Sequence, residues 1–233
     1  MAEVAAGLPV GPEVDAWPRP LPARTAIVGT HVVLEPLHRR HAAELFEAAS
    51  GAEASFTYVP YGPFPTRDSL NSFIATAAAQ HDPMMWAIRP VASGVVCGWL
   101  GLMDMQPENA ALEIGRVWFS ARLQRTRAAT EAIFLLLKRA ADELGYRRIV
   151  WKCDTLNAAS IRAAQRLGFT HEGTLRAHKI VKGRQRDSAM FSMTAAEWPA
   201  RRDALTAWLA PENFAPDGTA RQSLVEIRAR LAA

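Results

Sequence analysis

The stretch that decides the fold is Leu123–Ala132, LQRTRAATEA. It follows the apolar run ALEIGRVWFS (Ala111–Ser120) and leads into IFLLLKRAADELG (Ile133–Gly145). Charge is concentrated where a strand turns into a buried helix, with no acid before Glu131. A tight strand-to-helix turn leaves backbone N–H groups without intrahelical partners, at the positive end of the helix dipole. Such a spot attracts phosphate oxygens. Arg122, Arg125 and Arg127 add full charge there, and Gln124 and Thr126 add neutral donors. The junction is expected to be an anion cradle suited to a pyrophosphate, against the plainer alternative of a solvated basic loop. It lacks both the Gly-x-x-x-x-Gly-Lys-Ser/Thr pattern of a P-loop and the dinucleotide-binding glycine fingerprint.

A second element lies downstream. In DTLNAASIRAAQRLGF (Asp154–Phe169), Asn157 and Ser160 fall at the end of a strand and in the first turn of a helix. Asn157 is an N-cap at the least. With both strand–helix units in one sheet, these residues and the arginine loop share one end of neighbouring strands. A ligand with a phosphate end and an amide-bearing arm spans such a pair of sites.

The remaining pattern is that of a mixed α/β domain. HVVLEPL, MMWAIRP, GVVCGWLGLMDM, ALEIGRVWF and YRRIVWKCD are predicted strands. HRRHAAELFEAAS and TRDSLNSFIATAAAQ are predicted helices, and the helix after LQRTR is expected to run to Leu144 and stop at Gly145. FTHEGTLRAHKIVKGRQRDSAMFSMT is a predicted β-hairpin with KGRQ in its turn. FTYVPYGPFPT (Phe56–Thr66) carries three prolines and four aromatics, too many prolines for a regular helix and too apolar for a solvated loop. Three segments are expected: an extended stretch over 1–24, a domain over 25–199 and a helical extension over 200–233.

Composition bounds the function. The chain has 233 residues, 49% of them hydrophobic, enough for one substantial core. A net charge of +4 permits an anionic ligand but is too scattered for a nucleic-acid surface, so nucleic acid is not an expected partner. The only cysteines, Cys97 and Cys153, sit in apolar strands, which fits a reducing compartment. No membrane span and no signal peptide are expected, and a cytoplasmic protein is the default.

The pairing of the two strand–helix elements resembles the GNAT acetyltransferase superfamily, and its details resemble the ribosomal-protein-alanine acetyltransferase (RimJ/RimL-like) branch. The matching phrases are LEPL, YVPYGPF, EIG, QRTRAATEA, LGYRRIVWKCD, LNAASIRAAQRLGF, EGTLR, KGRQRD and EWP, spread over His31–Pro199. The resemblance implies a central mixed, mostly antiparallel sheet flanked by helices. It implies acetyl-CoA as cosubstrate, without a metal, and a primary amine as acceptor: a peptide N-terminus or a small molecule. The superfamily's loop glycines are replaced here by Arg125, Thr126, Arg127 and Ala128, and glycine is what lets backbone approach phosphate closely.

By the same resemblance, the cofactor would be held by Arg122, Gln124, Arg125, Thr126, Arg127, Ala128, Ala129 and Asn157. Val117 and Phe119 mark the strand whose backbone meets the thioester oxygen. Glu113, opposite Leu112 and Ile114 on its strand, is the candidate base for the amine proton. The alternative for it is a solvated residue or a partner of an arginine such as Arg116. Ser160 is the candidate partner of the departing thiolate. Tyr58, Tyr61, Trp86, Trp151 and Arg176 are candidate acceptor-cleft residues, and Asp104 and Glu172 are acids that could hold a cationic amine. Cys153 is expected to be structural. Two other readings stand beside the enzyme: a catalytically weak acyl-CoA-binding or regulatory module, and a basic nucleic-acid-binding protein. The acceptor's identity and the choice between monomer and homodimer are not legible.

Overall fold

In the computed structural model, which describes residues 8–232, the arginine-rich junction does join a strand to a helix. The strands are β1 (Ile27–Val28), β2 (Val32–Pro36), β3 (Met84–Pro90), β4 (Gly98–Gln106), β5 (Ala111–Phe119), β6 (Arg148–Asp154), β7 (Thr170–Val181) and β8 (Arg184–Thr194). The helices are α1 (Ala42–Ala49), α2 (Arg67–Ala79), α3 (Arg127–Lys138), α4 (Ala158–Leu167), α5 (Trp198–Leu209) and α6 (Leu224–Ala232). Among the described residues the strands form one eight-stranded sheet in the order β1-β2-β3-β4-β5-β6-β8-β7. Every neighbouring pair is antiparallel except β5 and β6. The mixed, mostly antiparallel sheet expected from the sequence is therefore present.

A parallel pair needs a crossover, and α3 supplies it. Its buried face is Ala128, Ala129, Ala132, Ile133, Leu136 and Leu137, spaced to make one stripe. The branched aliphatics each contribute about 1.5–3 kcal/mol by leaving water. The small residues let the helix lie close to β5. α3 ends at Lys138 rather than Leu144; a π-helical turn over Arg139–Glu143 carries the chain to Gly145, whose φ of 72° makes the reversal.

The other face of the sheet holds an aromatic core. Phe56 stacks on Trp118 at 5.1 Å between ring centres, and Tyr61, Phe64, Phe73 and Trp99 complete the cluster. The Phe56–Thr66 segment is thus part of the core, as its composition requires. Beneath α1, Glu35 bonds Arg89 at 2.5 Å and His41 at 2.9 Å, and these contacts, Arg89 foremost, hold its carboxyl down at about 2.

Residues 8–24 run without regular structure over the surface. The Arg19 N–H donates to the Pro107 carbonyl at 3.0 Å, and the Arg24 guanidinium donates to the Gln80 carbonyl. The expectation for residues 1–7 lies outside the described residues. At the other end, Ala204, Leu205, Trp208, Leu224 and Ile227 join the core under α3.

Candidate active site

β5 and β6 pair over three rungs only, Ala111–Glu113 with Arg148–Val150. β5 then runs on to Phe119 and β6 to Asp154, but the two part. Each stays paired on its outer side, β5 with β4 and β6 with β8. The inner edges therefore face each other across a gap, with backbone donors and acceptors that no strand satisfies. A cavity with room for about 140 Å³ opens there, walled by Tyr58–Tyr61, Glu113–Val117, Trp151–Asp154 and the β7–β8 hairpin.

Glu113 stands at the last paired rung, opposite Val150. It is 5% exposed, yet Lys152 Nζ lies 2.7 Å from its Oε2. Lys152 also bonds Asp104 Oδ2 at 2.6 Å. Burial pushes the Glu113 carboxyl up to about 7, with Asp104 adding to the rise and Lys152 holding it in check. Burial alone would lower Lys152, but its two carboxylate partners outweigh it and leave the ammonium raised. The carboxyl is thus poised to exchange a proton near neutrality.

Two bulges shape this region. β4 carries an extra residue between Met103 and Gln106, where Asp104 takes a φ of 48° and the Asp82 carboxylate accepts both the Asp104 and Met105 N–H groups at 3.0 and 2.9 Å. β5 carries an extra residue at Arg116, with a φ of 54°. Bulges re-aim side chains, and these two flank Glu113. Gly115 is required between them, because a Cβ there would press on Met103 and on the Glu113 carboxylate.

The junction after β5 forms the start of α3. Thr126 caps the helix: its Oγ1 accepts the Ala129 N–H at 3.1 Å and donates to the Leu123 carbonyl at 2.7 Å. Among the described residues the N–H groups of Arg125, Arg127 and Ala128 have no acceptor. Arg125 takes a φ of 62°, the left-handed backbone that a loop glycine would supply. The Arg122 and Arg125 side chains are exposed beside these N–H groups. Free donors, a helix dipole and two cations fit a pyrophosphate. Among the described residues no three His, Cys, Asp or Glu side chains converge as metal ligands.

Comparisons with known proteins agree with this geometry. Residues 31–170 match the family model for the acetyltransferase (GNAT) domain. The chain belongs to the GNAT acetyltransferase family. A GCN5-related N-acetyltransferase from Brucella melitensis shares 44% identity at a TM-score of 0.90, over 91% of this chain and 98% of that one. A GNAT-family protein of Chromobacterium violaceum ATCC 12472, described as a probable acetyltransferase, shares 44% identity at a TM-score of 0.77, over 82% and 98%. The microcin C7 self-immunity acetyltransferase MccE, in complex with acetyl-CoA and AMP, shares the fold at 23% identity and a TM-score of 0.64, over 71% and 93%. No curated protein sequence matches the chain. As GNAT acetyltransferases do, the enzyme acetylates with acetyl-CoA as donor.

Within this GNAT site, Asn157 and Ser160 line the cavity at the start of α4. Asn157 Oδ1 accepts the Ser160 N–H at 3.1 Å, and the Trp151 indole N–H donates to Ser160 Oγ at 2.9 Å. The indole thus engages the serine oxygen as acceptor, while the hydroxyl faces the Cys153 thiol. Cys153 borders the same cavity, but burial raises its thiol above the ordinary value and only partly yields to Ser160 and Arg186, which disfavours a thiolate nucleophile.

Other candidates lie differently from expectation. Trp86 is fully buried in the core under α3, its indole N–H bonded to the Thr25 carbonyl at 2.8 Å, and it does not reach the cavity. Arg176 is exposed on a shallow hollow outside the hairpin. Glu172 pairs with Arg148 at 2.5 Å, at the far end of β6. Arg127 lines up with the cradle only by its backbone: its guanidinium stacks 3.9 Å from the Phe214 ring centre and bonds the Leu209 carbonyl. The Ala129 N–H is consumed by Thr126. Gln124 turns its amide back to the Phe119 carbonyl at 2.9 Å. Tyr58, Tyr61, Trp151 and Val117 do line the cavity, though the Tyr61 hydroxyl already donates to the Arg116 carbonyl at 3.1 Å. Phe119 sits beyond, at the Gly98 rung.

Sequence reasoning missed Lys152, His178, Lys179 and Arg186, all of which border the cavity. Lys152 had a signal. It is the one charge between Trp151 and Cys153 in a central strand, on the face that Ile149, Trp151 and Cys153 do not use.

Proposed function

We propose that this enzyme is a RimJ/RimL-like N-acetyltransferase that moves the acetyl group of acetyl-CoA to a primary amine by direct attack in a ternary complex. The observation that carries the reading is Glu113: a carboxyl buried where the sheet splits, poised near neutrality and restrained by Lys152. An ammonium has no lone pair, so the incoming amine must lose a proton before or during attack, and Glu113 is the base within the cavity to take it. Acetyl-CoA supplies the activated acyl thioester. Its pyrophosphate would meet the Arg125, Arg127 and Ala128 N–H groups with Arg122 and Arg125, and its pantetheine arm would lie near Asn157. Past Glu113 the inner edge of β5 has no strand partner, and its backbone N–H groups are the ones suited to a developing oxyanion. The Ser160 hydroxyl, its oxygen engaged by Trp151, suits proton delivery to the departing thiolate.

Arg125 holds the left-handed backbone that the loop glycines would otherwise provide, which supports acetyl-CoA binding at this loop; the buried carboxyl of Glu113 is what favours catalysis over a binding-only module. The test is Glu113→Gln in a thiol-release assay against an amine panel, with acetyl-CoA affinity measured alongside. Turnover should fall about a hundredfold or more with affinity nearly unchanged. Unaltered turnover would remove Glu113 as base.

A further inference from the structure

The acceptor side of the cavity holds more positive charge than its carboxylates answer. Arg116, Lys152, Lys179 and Arg186 border it, against Glu113 and Asp154. Lys152 is engaged by Glu113 and Asp104. Asp154 turns its Oδ1 to the Leu156 N–H at 2.9 Å. Among the described residues no carboxylate forms an ion pair with Arg116, Lys179 or Arg186, and Arg186 Nε is buried without a hydrogen-bond partner.

The hairpin is built to hold this charge. Lys179 and Arg186 are direct cross-strand partners, an arrangement of like charges that weakens a ladder. Just before that rung, β7 advances four residues from Leu175 to Lys179 while β8 advances two from Ser188 to Arg186. Ala177 takes a φ of 48° in this bulge, and Asp187 Oδ1 fixes it by accepting the Ala177 N–H at 2.7 Å. Consecutive strand residues ordinarily face opposite sides, yet His178 and Lys179 both border the cavity. The bulge therefore adds cationic side chains to the acceptor wall at a cost to the sheet. His178 itself bonds Ser188 Oγ at 2.9 Å, and burial together with Lys179, Lys152 and Arg186 keeps its imidazole below its ordinary value. The cradle at α3 has Arg122 and Arg125 of its own, so the donor's pyrophosphate does not account for the hairpin cations.

We propose that the acceptor is an anionic amine: its reacting amino group is accompanied a few bonds away by a carboxylate or phosphate, which Lys179 and Arg186 bind with Arg116 at the rim. This rests on the acetyltransferase reading above.

The test uses amines paired to differ by one anionic group: propylamine against β-alanine, and ethanolamine against O-phosphoethanolamine, with acetyl-CoA as donor. The anionic member of at least one pair should show kcat/KM about tenfold or more above its neutral partner, as charge-assisted contacts require. The pair that responds tells carboxylate from phosphate. In a Lys179→Ala/Arg186→Ala variant with an unchanged circular dichroism spectrum, the preference should vanish while KM for acetyl-CoA holds. Equal, measurable rates within both pairs overturn the proposal. So does a double variant whose only defect is in KM for acetyl-CoA, which assigns the two cations to the donor's phosphates. Calorimetric titration of the same four amines into the CoA-bound protein separates this proposal from the transfer reading. Binding of an anionic amine that the double variant loses, without turnover, upholds the anion site and counts against direct transfer to the amine it holds. Neither binding nor turnover removes the anion site.

Discussion

Lys152 Nζ lies 2.7 Å from Glu113 Oε2, at the rung where β5 and β6 part. The ammonium restrains a carboxyl that burial alone would push still higher, while Asp104 on its other side pushes the opposite way. Glu113 must be deprotonated to accept a proton, so kcat/KM should rise with pH and level off above an inflection near 7. Lys152→Met should move that inflection to higher pH, and Asp104→Asn should move it lower. A lysine that only packed the strand would change the amplitude and leave the inflection in place. The pH–rate profiles of the three proteins decide the matter.

The arginine loop was legible because charge, strand and helix patterns met at one place in the sequence. Glu113 was legible as the polar residue between Leu112 and Ile114. The charges around Glu113 were legible only in part: Asp104 was read as an acid of the cleft and Lys152 sits on a regularly alternating strand, but the bulges at Asp104, Arg116 and Ala177 break the two-residue alternation on which the other strand faces are assigned. Arginine and alanine at positive φ carry no sequence signature, and aspartate only a weak one, so neither Asp104 as a Lys152 partner nor Lys179 as a cavity residue follows from pattern alone. Trp86 misled for a related reason: an aromatic near the right strand end has two faces to choose from, and the core under α3 claimed it.

Arg125 joins two roles that substitutions can separate. Its φ of 62° costs an L-residue about 1 kcal/mol, while its guanidinium contributes charge to the cradle. Arg125→Gly should raise thermal stability slightly and weaken acetyl-CoA binding through lost charge. Arg125→Ala should weaken binding at least as much with no gain in stability. Calorimetric affinities and melting temperatures for the pair check this, and equal stabilities would show that the loop relaxes to another backbone.

The bond from Trp151 Nε1 to Ser160 Oγ makes two residues one device. Trp151→Phe keeps an aromatic ring beside Phe169, 5.8 Å from the indole in the parent, and removes the donor together with part of the indole's volume. If that bond aims the serine proton, Trp151→Phe and Ser160→Ala should each lower kcat about tenfold, and the double variant should be no worse than either alone. Multiplied defects would mean that the two act independently.

Glu113 links function to stability. Its folded value of about 7 lies above the ordinary 4.5, so the native state holds a proton that the unfolded chain releases earlier. That contribution to stability is present in full below 4.5 and is lost as pH rises through 7. Glutamine at this position never ionises and escapes the loss. Glu113→Gln should therefore melt above the parent at pH 8 and gain little at pH 4. The difference between the two conditions should be on the order of 3 kcal/mol, because each tenfold change in proton affinity is worth about 1.4 kcal/mol. A variant less stable at pH 8 would mean that Lys152 gains more from the carboxylate than burial takes away, and the base would then rest in its charged form throughout the neutral range.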